Sequence, residues 1–286
     1  MPELAYLNGK IVPINQATVP IEDRGYQFGD AVYEYIASYK GRMFCVREHL
    51  DRLERSMRAL DFPSVHRDTV QDALTNLFDR AMLERAGIYI QISRGVAPRA
   101  HGFPQTTSVQ MVMTIRNLPE THSYVNKGVS VITTKDLRWG RCDIKTVQLL
   151  PNVLAKQKAL DKGVYDAIFV SDKGVVREAT SSNLFFISGG KAVTHPLTHH
   201  ILAGITRINI LDICRQKKIG VEERFYRVED LYGADEVFLT GTVTEVTPVV
   251  RVDGRAVGGG TVGVHTMELY KALREKATRH ADEKHE

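Results

Sequence analysis

Between residues 116 and 128 the chain reads RNLPETHSYVNKG, a polar run with a proline, a glycine and no hydrophobic period. A strand or amphipathic helix crossing it would have no face to bury, so the 286 residues divide there. Each part is long enough for a core of its own. The expected boundaries are an N-terminal α/β domain over 1–119, a linker over 120–127 and a C-terminal domain over 128–286.

Both parts mix the strand and helix periods. In the first, LAYL and KIVPI flank Asn8-Gly9, and YEYIASY and RMFCV flank Lys40-Gly41, which predicts two hairpins. Leu50, Leu53, Met57 and Leu60 then recur at three- and four-residue steps in EHLDRLERSMRAL, and RDTVQDALTNLFDRAMLERAG continues the pattern, predicting two amphipathic helices. IYIQISRG and SVQMVMTIR return to strand. In the second part VSVITT reads as strand, NVLAKQKALDKG as helix, and DAIFVSDKGVVREATSSNLFFI as a hairpin turned at Lys173-Gly174. GITRINILDICRQKK predicts a helix that starts at Ile205 and Thr206 after Gly204, and VFLTGTVTEVTPVVRVDGRAV predicts strand, loop, strand and a turn at Asp253-Gly254. A charged helix from Val264, fraying towards Glu286, ends the chain. The fold class is therefore α/β (α+β), in two domains.

Charge and cysteine usage exclude several functions. The 38 basic and 34 acidic residues are scattered, without the clustered stripe that binds nucleic acid. Cys45, Cys142 and Cys214 are far apart and odd in number, which argues against a disulfide framework or a zinc site and for a reducing compartment. The histidines at 195, 199 and 200 have no carboxylate or thiolate nearby at ligand spacing, so no metal is expected. No apolar run reaches the about 18 residues that span a bilayer, and a soluble, cytoplasmic protein is expected.

The chemistry centres on Lys145, in RWGRCDIKTVQLL. An amine is a nucleophile only when deprotonated, and a free lysine titrates at about 10.4. Neighbouring cations and desolvation are the usual means of lowering that value. Arg138 and Arg141 offer the first in sequence, and Ile144, Val147, Leu149 and Leu150 the second. Glu178 opens EATSSN, and a Schiff-base lysine with a carboxylate for a pyridinium nitrogen is the minimum kit of pyridoxal phosphate chemistry, although most lysines are merely solvated charges. Two segments could meet a phosphate: GITR, where a helix starts after a glycine, and TGTVTE, where Gly241 permits close approach and Thr242 and Thr244 carry hydroxyls. Gly-Xaa-Thr at a helix start is also plain capping. Arg99 and His101, two apart in SRGVAPRAHGFP, could hold a carboxylate or could be ordinary solvated loop residues.

Taken in order, RGYQFGDAVYE, SRGVAPRAH, RCDIKTVQLLPNVLAKQ, VVREATSSNLF, THPLTHHILAGITR and LTGTVTEVTPV resemble the fold-type IV pyridoxal phosphate enzymes over residues 5 to 270, and the RAH triplet at 99–101 resembles their D-amino acid branch. The resemblance implies an N-terminal α/β sandwich and a β-rich C-terminal domain flanked by helices. It implies pyridoxal 5′-phosphate joined to Lys145, with Lys145 then moving the proton between Cα and C4′, and with Glu178 on the pyridine nitrogen. Arg52 in EHLDRLE, the Ile205 and Thr206 amides, Gly241 and Thr242 would hold the phosphate, and Leu202 would pack on the ring. Gly241 stands where that branch tends to have serine, so one hydroxyl is missing. Tyr33, Arg99 and His101 would trap the substrate carboxylate, the latter two from the other subunit of a homodimer.

The activity implied is transfer of an amino group from a D-amino acid, D-alanine expected, to a 2-oxo acid, 2-oxoglutarate expected, in two half-reactions. Alternatives are another member of the fold type, whether a branched-chain or (R)-amine aminotransferase or an aminodeoxychorismate lyase, and a non-enzymatic scaffold of the same fold.

Overall fold

In AGIYIQIS the isoleucines at 88, 90 and 92 alternate with polar or smaller residues, so a strand there turns all three to one face. All three are fully buried. The computed structural model describes residues 3–120 and 123–282, and these fall into two units: 3–120 with 144–148 and 280–282, and 123–143 with 149–279. The five residues around Lys145 thus belong with the first unit, a return that a boundary drawn once along the chain does not contain.

The first unit runs β1 (Leu4–Leu7), β2 (Lys10–Pro13), α1 (Arg24–Phe28), β3 (Ala31–Tyr39), β4 (Arg42–Met43), α2 (Val46–Ala59), α3 (Arg67–Ala81), β5 (Ala86–Ser93) and β6 (Gln110–Asn117). Its sheet is antiparallel throughout, in the order β2-β1-β6-β5-β3-β4. The helical stripes of α2 (Leu50, Leu53, Met57) and α3 (Val70, Leu74, Leu77, Phe78) pack with Val32, Ile36 and the three isoleucines of β5 into one core. The periodic run that predicts the second helix extends to Gly87, but α3 stops at Ala81. Met82 adopts a left-handed conformation, and Ala86 already starts β5.

The second unit runs α4 (Tyr124–Lys127), β7 (Val129–Lys135), α5 (Leu150–Asp161), β8 (Asp166–Val170), β9 (Val176–Ala179), β10 (Asn183–Ser188), β11 (Lys191–Thr194), α6 (Ile205–Gln216), β12 (Gly220–Glu223), α7 (Val228–Tyr232), β13 (Glu236–Gly241), β14 (Glu245–Val252), β15 (Arg255–Ala256) and α8 (Val264–Asp282). Its sheet has the order β12-β11-β10-β13-β14-β7-β8-β9, with β15 against β14. The joins β11–β12, β14–β7 and β7–β8 are parallel and the rest antiparallel. Strands such as NLFFI and VFLT are buried on both faces, which is why they read as unbroken apolar runs. The expected fraying lies at 283–286, outside the described residues.

Several short elements go unseen in the sequence: α1, β11, β12 and α7, together with α4. The aperiodic linker contains α4, a single turn whose Val125 is buried and whose Tyr124 meets Tyr165 edge-on at 5.2 Å. One turn is too short to show a period. Among the described residues no helix is long and apolar enough to cross a membrane.

Leu74 is fully buried where α3 meets the first sheet. Leu74→Ala is expected to destabilise the protein by about 2–5 kcal/mol, read as a lower midpoint of urea unfolding.

Candidate active site

On β3 the even positions Val32 and Ile36 face the helices, and Glu34 lies between them, fully buried. A carboxylate there is tolerable only if paired. Arg52 Nε donates to Glu34 Oε1 at 2.7 Å and its NH2 donates to Oε2 at 2.9 Å, while His49 Nδ1 lies 2.7 Å from Oε2. His49 and Arg52 are three apart on α2 and so share its inner face. Burial by itself would raise the Glu34 carboxyl. Arg52 and then His49 outweigh it and hold the group far below the usual carboxylate range. Burial likewise lowers His49, so its neutral ring presents an Nδ1–H to the anion.

The two-residue β4 pairs with only Ser38 and Tyr39, which leaves the start of β3 open on that edge. The 144–148 segment fills it. Tyr33 N donates to Lys145 O at 2.9 Å, Val147 N donates to Ala31 O at 3.2 Å, and Val32 and Thr146 form an antiparallel bridge. The Lys145 amide donates to Ser56 Oγ of α2 at 3.2 Å, and the neighbouring Ile144 is part of the core. The lysine backbone is therefore fixed on both sides. Its Nζ stands 4.1 Å from the centroid of the Tyr33 ring, and among the described residues it has no carboxylate partner.

Arg99 and His101 lie in the loop between β5 and β6, both exposed. Both rest on Phe28: the Arg99 guanidinium is 4.5 Å from its ring centroid, and the His101 ring meets it edge-on at 5.6 Å. Among the described residues no hydrogen bond, ion pair or ring contact joins either to Tyr33 or Lys145.

In the second unit Glu178, at the end of β9, is buried. Its Oε1 accepts from Arg138 NH1 at 2.5 Å, and its Oε2 from Asn183 Nδ2 at 2.9 Å and the Leu202 amide at 3.2 Å. Burial pushes the Glu178 carboxyl up, against the opposing pull of Arg138. Asn183 also donates to the Leu202 carbonyl, so the loop before α6 is tied to the acid through one amide side chain. A Cβ on Gly204 would lie 2.0 Å from Asn183 Oδ1, so only glycine admits this approach. Gly204 caps α6 with no side chain, and Ile205 and Thr206 open the helix with first-turn amides suited to an anion. At the β13–β14 turn, Gly241 and Thr242 are half-buried, and a Cβ on Gly241 would lie 2.8 Å from Thr244 Oγ1. The Thr240 and Thr244 hydroxyls are buried without a partner among the described residues. Orphaned hydroxyls, an uncapped helix start and a buried acid form a donor set that fits a ring carrying a phosphate.

One expectation is corrected. Arg138 and Arg141 do not stand as bare cations beside the lysine: Arg138 is bound to Asp136 and Glu178, and Arg141 to Asp143. Adjacency in sequence says nothing of which carboxylates claim a guanidinium. The residues that sequence reasoning missed are Glu34, His49, Asp136 and Asn183. Glu34 had left a signal, a charge at an inward position of an apolar strand.

With this geometry in hand, the family described as amino-transferase class IV matches residues 31–252, and the chain belongs to it. The D-alanine aminotransferase of Bacillus licheniformis is 39% identical over 268 residues, 93% of this chain and 94% of that protein. That of Staphylococcus haemolyticus is 39% identical over 273 residues, 94% and 96%. Among solved structures, the branched-chain amino acid aminotransferase of Escherichia coli superposes with a TM-score of 0.87 at 28% identity, covering 96% of this chain and 93% of its own. That of Thermobaculum terrenum in its PLP form gives 0.85 at 27%, covering 96% and 94%.

Glu34→Gln removes the charge that balances Arg52, and is expected to cost about 3–5 kcal/mol at neutral pH. A depressed carboxyl adds stability above its unfolded value of 4.5 and loses it as pH falls further. Thermal unfolding measured across that range should show the wild type losing stability more steeply with acid than Glu34→Gln.

Proposed function

We propose that this chain is a D-amino acid aminotransferase, taking the amino group of a D-amino acid, with D-alanine the expected donor, and delivering it to a 2-oxo acid, with 2-oxoglutarate the expected acceptor. The observation that carries the reading is the Lys145 amine: backbone pinned on both sides, no carboxylate partner among the described residues, presented over the Tyr33 ring. The kinship with D-alanine aminotransferases over most of the chain, and the RAH triplet at 99–101, favour this reading over the branched-chain one.

Pyridoxal 5′-phosphate, when bound, supplies an electron sink that lets the Cα proton leave. Lys145 Nζ would hold the cofactor and, when free, would carry the proton between Cα and C4′. Glu178, held by Arg138, Asn183 and the Leu202 amide, would keep the ring nitrogen protonated. The Ile205 and Thr206 amides, Gly241 N–H, the Thr242 hydroxyl and Arg52 would hold the phosphate, and Leu202 would pack against the ring. Thr244 Oγ1, buried beside Gly241 and without a partner among the described residues, would offer the hydroxyl that a serine at 241 would have brought.

Tyr33, Arg99 and His101 receive the substrate carboxylate. With the carboxylate fixed and the Cα–H obliged to point at Lys145, only one enantiomer presents both. The enzyme works as a homodimer in which Arg99 and His101 serve the partner's site. The apolar face that α5 exposes at Leu150, Val153, Leu154 and Leu160 supports association. A cytoplasmic location is consistent with three free cysteines.

The visible absorbance of the purified holoenzyme should be lost on adding D-alanine and kept with L-alanine. Loss with L-leucine or L-valine instead would move the chain to the branched-chain activity. Lys145→Ala should lower amino transfer by at least about 10³-fold, measured as pyruvate formed from D-alanine.

A further inference from the structure

The loop that carries Arg99 and His101 runs over residues 94–109 without helix or strand, a length at which loops in compact domains are usually functional. Something must hold it. Arg24, at the start of α1, is 3% exposed, and its whole guanidinium is engaged. Nε donates to Asp30 Oδ2 at 2.8 Å. NH1 donates to the carbonyls of Ala100 at 2.7 Å and Gly102 at 3.3 Å, and NH2 to that of His101 at 3.4 Å. One planar cation thus gathers three consecutive carbonyls of the loop.

The cation is itself anchored. Asp30 Oδ2 also accepts from Arg94 Nε at 2.8 Å. Arg94 donates onward to the carbonyls of Leu60 and Asp61 and lies against the rings of Phe62 and Phe103, 4.3 and 3.7 Å from their centroids. The Arg24 amide donates to Gly95 O at 2.9 Å, and Asp23 bridges to Val96, which fixes where the loop departs. Arg24 also stands 4.9 Å from the centroid of Phe28, the ring on which Arg99 and His101 rest.

We propose that Arg24 is a positioning residue for substrate recognition: it fixes the backbone of residues 100–102, with Phe28 as the platform beneath the side chains, so that Arg99 and His101 are preorganised for the α-carboxylate. The inference rests on the carboxylate role proposed above for those two residues, and adds what sets their geometry. Lysine cannot replace Arg24. An ammonium is a point charge with three donors and cannot serve Asp30 and three carbonyls from fixed positions. A loosened loop must be ordered anew on each binding event, so the loss appears in substrate affinity rather than in the chemical step.

The test compares holoenzymes of wild type, Arg24→Lys, Phe28→Leu and Arg99→Ala in single-turnover reaction with D-alanine, followed by the visible absorbance. Arg24→Lys and Phe28→Leu should each weaken the apparent Kd for D-alanine about tenfold while the limiting rate stays within about threefold. Cofactor content and the resting spectrum should match wild type. An unchanged Kd in both, with Arg99→Ala weakened, overturns the clamp. An unchanged Kd in Arg99→Ala itself overturns the carboxylate reading and the inference with it. Equal falls in limiting rate and affinity, or loss of the resting spectrum in both variants, would make Arg24 a general structural residue and sink the proposal. Should Arg24→Lys not fold, Phe28→Leu decides alone, because it leaves the guanidinium and its hydrogen bonds in place.

Discussion

The peptide of Lys145 is held between two elements, its N–H by Ser56 of α2 and its C=O by the N–H of Tyr33 on β3. Those two elements are themselves locked together one residue and one turn away. Glu34, next to Tyr33, is bound by Arg52, four residues before Ser56 on the same helix face, and by His49 before that. A shift of α2 along β3 would break the buried ion pair before it moved the lysine. The cost of burying three ionisable groups is thus turned into a fixed register between helix and strand, and the Lys145 amine inherits that register.

Glu34 and Glu178 show how environment assigns work to identical side chains. Both are buried, and each meets a guanidinium. Glu34 faces a bidentate arginine and a histidine, and its carboxyl is held down as a permanent anion. Glu178 shares Arg138 with Asp136, takes its remaining bonds from a neutral amide and a backbone N–H, and is pushed up by burial. The first suits a structural counter-ion. The second suits the less committed role proposed for it above.

Most of the fold was legible because it is written in periodicity. The hairpins at Asn8-Gly9 and Lys40-Gly41, the stripes of α2 and α3 and the start of α6 at Ile205 all follow from spacing and turn chemistry. What escaped is of two kinds. Short features such as α4 have no period to read, and the halt of α3 at Ala81 depends on a backbone torsion at Met82. Side-chain partnerships between distant residues are the other kind. Nothing in RWGRCDIK says that Asp136 and Glu178 neutralise Arg138, and nothing in RGYQFGD says that Arg24 reaches the carbonyls of residues 100–102. The motif residues proposed for the site come as a set from resemblance, while the groups that hold them in place are seen only in the structure, because a supporting contact leaves no spacing of its own.

The passage of residues 144–148 into the first unit has a consequence for how such a chain can be cut and recombined. A fragment ending near residue 120 would lack the segment that closes the open edge of β3 and would expose unpaired backbone there. A fragment starting there would carry that segment, core isoleucine included, with no sheet to join. The polypeptide is two units in space but not two modules in the gene, and any scheme of domain exchange would have to move the lysine segment with the half that lies before it.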